Sequence, residues 1–146
     1  MAETAEAVKR RVNLPIQGQC EPPEDPRWYQ RMKDSGIDSL GMHLEVLEPD
    51  VRRRILPGKS ELSLERYYEA FADAVAVFGR GEVSTYLLAG LGDSKEALLE
   101  CSQRLIELGV YPLWCPLCRS LAHRWRAIHH RTVPSWLMCI RVLPRC

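Results

Sequence analysis

The sequence predicts an α/β protein with a parallel sheet, and three observations support this fold class. Strand-like and helix-like segments alternate over residues 1–112, and glycine or proline turns separate them. The predicted strands begin at intervals of roughly 25 to 45 residues, which is enough for a helical crossover between parallel strands. The chain has 146 residues and 46% hydrophobic content, which suits one packed domain. Four strands fit either part of a (β/α) barrel or a small open sheet, and periodicity does not choose between them.

The first predicted strand covers residues 12–20, although Pro15 disfavours a central position in a sheet. A proline-rich loop follows. Asp25 and Pro26 are typical of a helix start, and Gly36 of a helix end.

The second predicted strand covers residues 37–45. Alternation places one set of side chains on one face, namely Ile37, Ser39, Gly41, His43 and Glu45, and the other set on the opposite face, namely Leu40, Met42 and Leu44. A helical turn then leads to Pro57-Gly58-Lys59. Ser63 and Gly79 bound a longer helix with aromatic residues at helical spacing, which we interpret as core packing.

The third predicted strand, residues 82–89, runs into the glycine turn 90–93. Ser94 predicts a helix N-cap, and Gly109 predicts the end of that helix. Its expected apolar face comprises Leu98, Leu99, Cys101, Leu105, Ile106 and Leu108. A fourth strand begins at Val110.

The composition changes sharply after residue 112. Residues 1–112 hold all 19 acidic residues and 14 basic ones, whereas residues 113–146 hold six Arg, no Lys and no acid. We therefore divide the chain into an N-terminal segment (1–11), a partial barrel (12–112) and an atypical basic tail (113–146). A frameshift near codons 112–114 would explain the tail, because its periodicity is weak.

Two other interpretations of the tail remain open. Cys115-x-x-Cys118 is a candidate zinc pair, which would be completed from His123, His129, His130 or Cys139. A basic and aromatic nucleic-acid arm would use Arg124, Trp125, Arg126, Arg131 and Trp136. A single C-x-x-C without a second pair is a weak zinc signal, and the net charge of +1 argues against a nucleic-acid partner.

Composition also excludes several locations. No apolar run reaches the roughly 18–20 residues of a membrane span, and the first residues lack the apolar stretch of a secretory signal. We expect a cytoplasmic protein without membrane contact, with its six Cys reduced. Cys20 and Cys101 are expected to be buried, and Arg52-Arg53-Arg54 to form a solvated face.

Two stretches of residues 12–112 resemble the later half of a radical S-adenosylmethionine (SAM) enzyme, in the branch of biotin and lipoyl synthases. They are QCEPPEDPRWYQRMKDSGIDSLGMHLEVLEPDVRRRILPGK and, after the long helix, GEVSTYLLAGLGDSKEALLECSQRLIELGVYP. The resemblance implies part of a TIM-type barrel that holds SAM and a [4Fe–4S] cluster. In such enzymes the reduced cluster cleaves SAM to a radical, which abstracts hydrogen from a small-molecule substrate.

The resemblance also implies cofactor-binding residues at the strand ends. His43 and Glu45 correspond to the residues that hold the SAM ribose, and a carboxylate suits two hydroxyls. Leu88, Gly90, Leu91 and Gly92 correspond to the strand end that supports the adenine. Ser84 and Tyr86 are expected to point into the same barrel. The resemblance assigns no catalytic residue and no metal ligand to this chain.

One departure from the family is decisive. The C-x-x-x-C-x-x-C motif that binds the cluster is missing, and such a cluster requires thiolate ligands. We therefore expect a fragment of a radical SAM enzyme that is inactive alone, and we expect neither SAM nor the cluster to bind fully to this chain by itself. The alternatives are one chain of a split enzyme completed by a half-barrel partner, and a small zinc-binding or interaction module built on the tail. A half barrel exposes two sheet edges and an apolar inner face, so self-association is expected.

Overall fold

The structure is a computed structural model that describes residues 1–116. Within this range helices and strands alternate as predicted. The helices are α1 (Ala2–Lys9), α2 (Arg27–Asp34), α3 (Pro49–Ile55), α4 (Leu64–Phe78) and α5 (Lys95–Leu108). The strands are β1 (Gln17–Gln19), β2 (Ser39–Gly41), β3 (Val83–Ala89) and β4 (Val110–Pro116). A 3₁₀ turn, Lys59–Glu61, joins α3 to α4.

The sheet is parallel throughout and its strands follow chain order, β1-β2-β3-β4. Helical crossovers connect parallel neighbours, so all carboxyl strand ends lie at one edge. One sheet face packs against helices and forms the core, in which Leu40, Leu87 and Phe71 are fully buried. This confirms the predicted α/β class with a parallel sheet, while closure into a barrel stays a prediction.

The predicted helix boundaries of α4 and α5 are confirmed. The Ser63 hydroxyl accepts a hydrogen bond from the Arg66 amide, and the Ser94 hydroxyl accepts one from the Ala97 amide. Gly109 ends α5 in the left-handed conformation that glycine tolerates.

The apolar face of α5 is narrower than predicted. Leu98 and Leu105 are fully buried, but Leu99 and Ile106 are 49% and 58% exposed. The two exposed side chains lie seven residues apart, so they share a helix face turned away from the core.

The N-terminal part of the chain also differs from the prediction. The expected strand over residues 12–20 is reduced to β1, while residues 1–11, for which no element was predicted, contain α1. Ala5 of α1 is buried, and the Lys9 ammonium donates to the Asp38 carboxylate at 2.8 Å. This ion pair ties α1 to the start of β2.

The second strand is interrupted by a bulge. The Met42 amide donates to the Ser84 carbonyl at 3.0 Å, and the next such bond runs from the Glu45 amide to the Tyr86 carbonyl at 2.8 Å. Three residues of one strand therefore face two of the other, which defines a β-bulge. Simple alternation over residues 37–45 is wrong at this point, although Leu40, Met42 and Leu44, which were predicted to share one face, are all buried.

The sheet extends beyond the compositional change. β4 pairs with β3 from Val110 to Pro116, and the Trp114 indole donates to the Ser102 hydroxyl at 2.9 Å. The first four residues of the basic tail thus belong to the sheet. The other proposed tail ligands and the nucleic-acid residues lie outside the described residues.

The sheet face turned away from the helices carries polar as well as apolar side chains. It carries Gln17, Ser84 and Tyr86, and the Gln17 amide group donates to the Ser84 hydroxyl at 3.1 Å. Leu88, Tyr111 and Leu113 lie on the same face by register, so the inner face that was expected to be apolar carries both apolar and polar side chains.

Candidate functional site

A cluster of charged side chains lies at the carboxyl ends of β1 and β2, with Lys59 at its centre. The Lys59 ammonium lies 3.0 Å from a Glu21 carboxylate oxygen and 3.3 Å from a Glu45 carboxylate oxygen. It also donates to the His43 carbonyl at 3.0 Å, and the Tyr67 hydroxyl donates to the second oxygen of Glu21. One ammonium thus holds two carboxylates from neighbouring strand ends.

Glu45 adopts an unusual backbone conformation. Its φ of 63° makes it the one non-glycine residue with positive φ among residues 1–116, and such a conformation is costly for a side chain with a Cβ. The Glu45 amide donates to Tyr86, and the Glu45 carbonyl accepts from the Leu88 amide at 2.8 Å. The bulge thereby joins Glu45 to the residues on either side of Leu87 in β3.

His43 occupies the bulge itself. Its Nδ1 accepts from the Tyr86 amide at 3.3 Å, and the two rings lie 4.5 Å apart. Its Nε2 is buried without a partner among the described residues. Burial lowers the pKa of His43, and the nearby Lys59 ammonium lowers it further, so the neutral imidazole is favoured.

In the bulge, the side chain of Thr85 also replaces a backbone group as a hydrogen-bond acceptor. Its hydroxyl accepts from the Leu44 amide at 2.9 Å, in a place where a regular ladder would use a backbone carbonyl. Gly41 provides room for the ring of His43, because a Cβ at Gly41 would lie 3.0 Å from its Cε1 atom.

Arg52 lies beneath this cluster. The prediction of a solvated arginine face holds for Arg53 and Arg54 but is wrong for Arg52, which is 3% exposed. Its guanidinium donates to the carbonyls of Leu44, Val46 and Lys59 and lies over the Tyr67 ring at 5.0 Å. Burial of a guanidinium requires such partners.

The glycine turn after β3 forms the adjoining wall. Gly90 and Gly92 have φ values of 106° and 135°, which glycine alone adopts readily. The buried Asp93 carboxylate accepts from the amides of Leu47 and Glu48, and this ties the turn to the segment after Glu45. Burial raises the pKa of Asp93.

The predicted site residues separate into two groups. His43, Glu45, Tyr86 and Leu88 are joined directly by the bulge, and Gly90 and Gly92 follow on the same strand end. Ser84 lies one register step deeper and bonds Gln17. Leu91 is buried in a small cluster with Val46 and Val51, so its side chain packs inward.

The cysteines among the described residues do not form a set of thiolate ligands for a [4Fe–4S] cluster. Cys20, Cys101 and Cys115 are free; Cys20 follows β1, whereas Cys101 lies in α5 and Cys115 in β4. Residues 1–116 contain no group of three potential metal ligands. Burial raises the pKa of Cys20 to about 11 and raises that of Cys101, which disfavours the thiolate. The described part of the candidate zinc pair, Cys115, is exposed.

The sequence places Glu21 and Asp93 at strand ends where functional groups are expected but gives them no individual role, and sequence reasoning missed Lys59 and Arg52 as parts of the site. Two signals were present: Glu21 and Asp93 follow predicted strands, and Gly41 interrupts a strand pattern, which often marks a bulge. The inward side chain of Arg52 had no such signal.

The fold and this cluster define a parallel β/α protein whose polar groups converge at the carboxyl strand ends, the usual ligand edge of such sheets. The chain is 36% identical over 116 residues to the bacteriochlorophyllide c C-7(1)-hydroxylase of Chlorobaculum limnaeum. That match covers 77% of this chain and 29% of the relative. No family model matches.

A solved structure shares the fold. It is the radical SAM methyltransferase TsrM from Kitasatospora setae, with cobalamin and a [4Fe–4S] cluster bound, at a TM-score of 0.58 and 12% identity. The similarity covers 79% of this chain and 24% of TsrM. The match to TsrM shows that the fold is shared, while the radical SAM superfamily and the branch within it stay predictions for this chain. The chain spans less than a third of either protein.

No helix among residues 1–116 is both long and apolar enough to cross a membrane.

Proposed function

We propose that this chain supplies the strand ends that hold the nucleoside of SAM in a radical SAM barrel. The observation that carries the proposal is the bulge in β2, which presents Glu45 in a left-handed conformation beside the glycine turn of β3. A carboxylate there can accept from two ribose hydroxyls. The glycine backbone at Gly90 and Gly92 permits close approach of a flat base.

The residues present fit the nucleoside part of SAM. The buried, unpartnered Nε2 of His43 is a polar atom that needs a hydrogen bond, and a ribose hydroxyl can provide it. Lys59 orients Glu45 from the other side. When bound to a reduced cluster, SAM supplies a carbon radical. The role of this chain's residues is to bind and orient the nucleoside.

The cluster ligands must then come from outside residues 1–116. We therefore propose that the chain acts as part of a larger radical SAM enzyme, either as a fragment that is inactive alone or as one chain of a split enzyme. The edges of β1 and β4, unpaired within the described residues, are where a complementing half barrel would add strands.

The test is SAM binding to the full chain, measured by equilibrium dialysis. We expect Glu45→Gln to weaken binding by about tenfold or more, because it removes a charge-assisted acceptor. Glu82→Gln is the matched control, since Glu82 is exposed just before β3, at the opposite end of the sheet, and we expect unchanged affinity. Absence of binding to the wild-type chain, or equal binding by the Glu45 variant, contradicts the proposal.

We also propose a flat, conjugated macrocycle as the substrate class of the whole enzyme. The relative is named as a hydroxylase of bacteriochlorophyllide c. Tyr86 and Tyr111, on the sheet face turned away from the helices, are 39% and 59% exposed and offer rings for stacking. Quenching of bacteriochlorophyllide fluorescence by the chain, reduced in Tyr86→Ala, would support this class. Equal quenching by both proteins would contradict it.

A further inference from the structure

We infer that Arg52 is a positioning residue that holds Glu45 in its left-handed conformation and fixes Lys59 against it. One guanidinium nitrogen of Arg52 donates to the Leu44 carbonyl at 3.0 Å and to the Val46 carbonyl at 2.8 Å. These carbonyls belong to the residues immediately before and after Glu45. The peptide units around Glu45 are thus held by a single group.

The other terminal nitrogen of Arg52 fixes the partner of Glu45. It donates to the Lys59 carbonyl at 3.0 Å, while the ammonium of Lys59 reaches Glu45 at 3.3 Å. Both members of the ion pair are therefore anchored through their backbones to the same guanidinium. A planar fork of donors can bridge three carbonyls, whereas an ammonium is a point charge.

The burial of Arg52 indicates that it does not bind a ligand itself. Its side chain is 3% exposed, and its Nε has no partner within residues 1–116. Burying a guanidinium is costly, and the bonds it forms are concentrated on the segment around Glu45. A positive φ at a glutamate persists only where its surroundings enforce it, and Arg52 supplies that enforcement.

The first test is local hydrogen exchange in the full chain. In Arg52→Met we expect the amides of Glu45 and Leu88 to lose protection by about tenfold or more, because both bond across the bulge. The amide of Met42, bonded one step before the bulge, is the internal control and should keep its protection. Equal loss at all three amides would mean general destabilisation and would overturn the inference.

A double-variant comparison tests the conformational claim. Glycine adopts positive φ without strain, so we expect Arg52→Met to lower the melting temperature less in a Glu45→Gly background. A difference of about 3 °C or more supports the inference, and an equal decrease in both backgrounds overturns it. Arg52→Lys keeps the charge but lacks the planar fork of donors. It should lose protection as Arg52→Met does, and full rescue by lysine would overturn the inference.

The consequence for SAM rests on the proposed function. If Arg52 acts through Glu45, Arg52→Met and Glu45→Gln weaken SAM binding by similar factors, and the double variant is no weaker than either. Additive losses overturn the inference. If the wild-type chain binds no SAM, the proposed function fails, and the exchange experiment still decides the role of Arg52.

Discussion

Replacements of Asp93 distinguish the stability that its hydrogen bonds contribute from the destabilising effect of its buried charge. Its carboxylate is 1% exposed and accepts from the Leu47 amide at 3.1 Å and the Glu48 amide at 2.7 Å. Asp93→Ala leaves two amides without an acceptor, at about 1–3 kcal/mol each. The hydrogen bond from the Glu48 amide is only partly buried, and removal of a buried carboxylate offsets part of the cost. We expect a net destabilisation of about 2–4 kcal/mol, or roughly 6–15 °C in melting temperature.

Asp93→Asn is the matched variant. One oxygen, Oδ1, already accepts from both amides, so an asparagine carbonyl can replace it, and we expect a change within about 1 kcal/mol. Thermal and urea unfolding of the full chain measure both variants. Similar losses for alanine and asparagine would refute the reasoning, because the charge and not the hydrogen bonds would then matter.

The raised pKa of Asp93 predicts a pH dependence of known sign. The folded state binds the proton of the Asp93 carboxyl more tightly than the unfolded state, in which the pKa of this group is 3.8. The stability that the group contributes is therefore present below that value and is lost as pH rises through the folded pKa. Asp93→Asn should remove this dependence in urea unfolding measured across acidic pH, and an unchanged profile contradicts the assignment.

Two further predictions concern His43 and Gly41. Because the pKa of His43 is lowered in the folded state, the free energy of unfolding should rise with pH from the folded pKa up to about 6.5, the unfolded value. His43→Gln should flatten the pH dependence of this free energy, measured by urea unfolding, over the same range. An unchanged slope contradicts the prediction. Gly41→Ala places a Cβ 3.0 Å from the His43 ring and should cost about 1–3 kcal/mol. Gly58→Ala, with nothing within 4 Å, should cost less than 1 kcal/mol, and equal losses would exclude the proposed clash.

The alternation of strands and helices was predictable because buried apolar residues recur at a fixed spacing, about every second residue in a strand and every third or fourth residue in a helix. The apolar residues Leu40, Met42 and Leu44 and the caps Ser63 and Ser94 obey rules that act over a few residues. The bulge was not predictable in this way, because it depends on partners far along the chain. The His43 ring and the Thr85 hydroxyl replace ladder bonds there, and alternation carries no information about such substitution.

Two residues of the candidate site, Glu45 and His43, were therefore predicted from the sequence, whereas the two cations that contact this segment were not. Glu45 and His43 were identified through a family resemblance at a strand end. Lys59 and Arg52 belong to the connection after β2. Its run of three arginines, Arg52-Arg53-Arg54, was interpreted as a solvated face. Arginine is rarely buried unless its guanidinium has hydrogen-bond partners. The partners of Arg52 are backbone carbonyls, which every residue carries, so the sequence gives no sign of them. The spacing of residues in α3 therefore did not predict that Arg52 faces inward.

The connection between β2 and β3 explains why the cluster forms at this strand end. It is the longest of the three connections, because α3 and a 3₁₀ turn precede the crossover helix α4. The extra helix places Arg52 beneath the bulge, and the following turn brings Lys59 over it. A direct crossover would provide neither group, and Glu45 would lack both its ion-pair partner and the anchor of its left-handed backbone. The length of this connection is thus a structural requirement of the site, since it delivers two cations to one strand end.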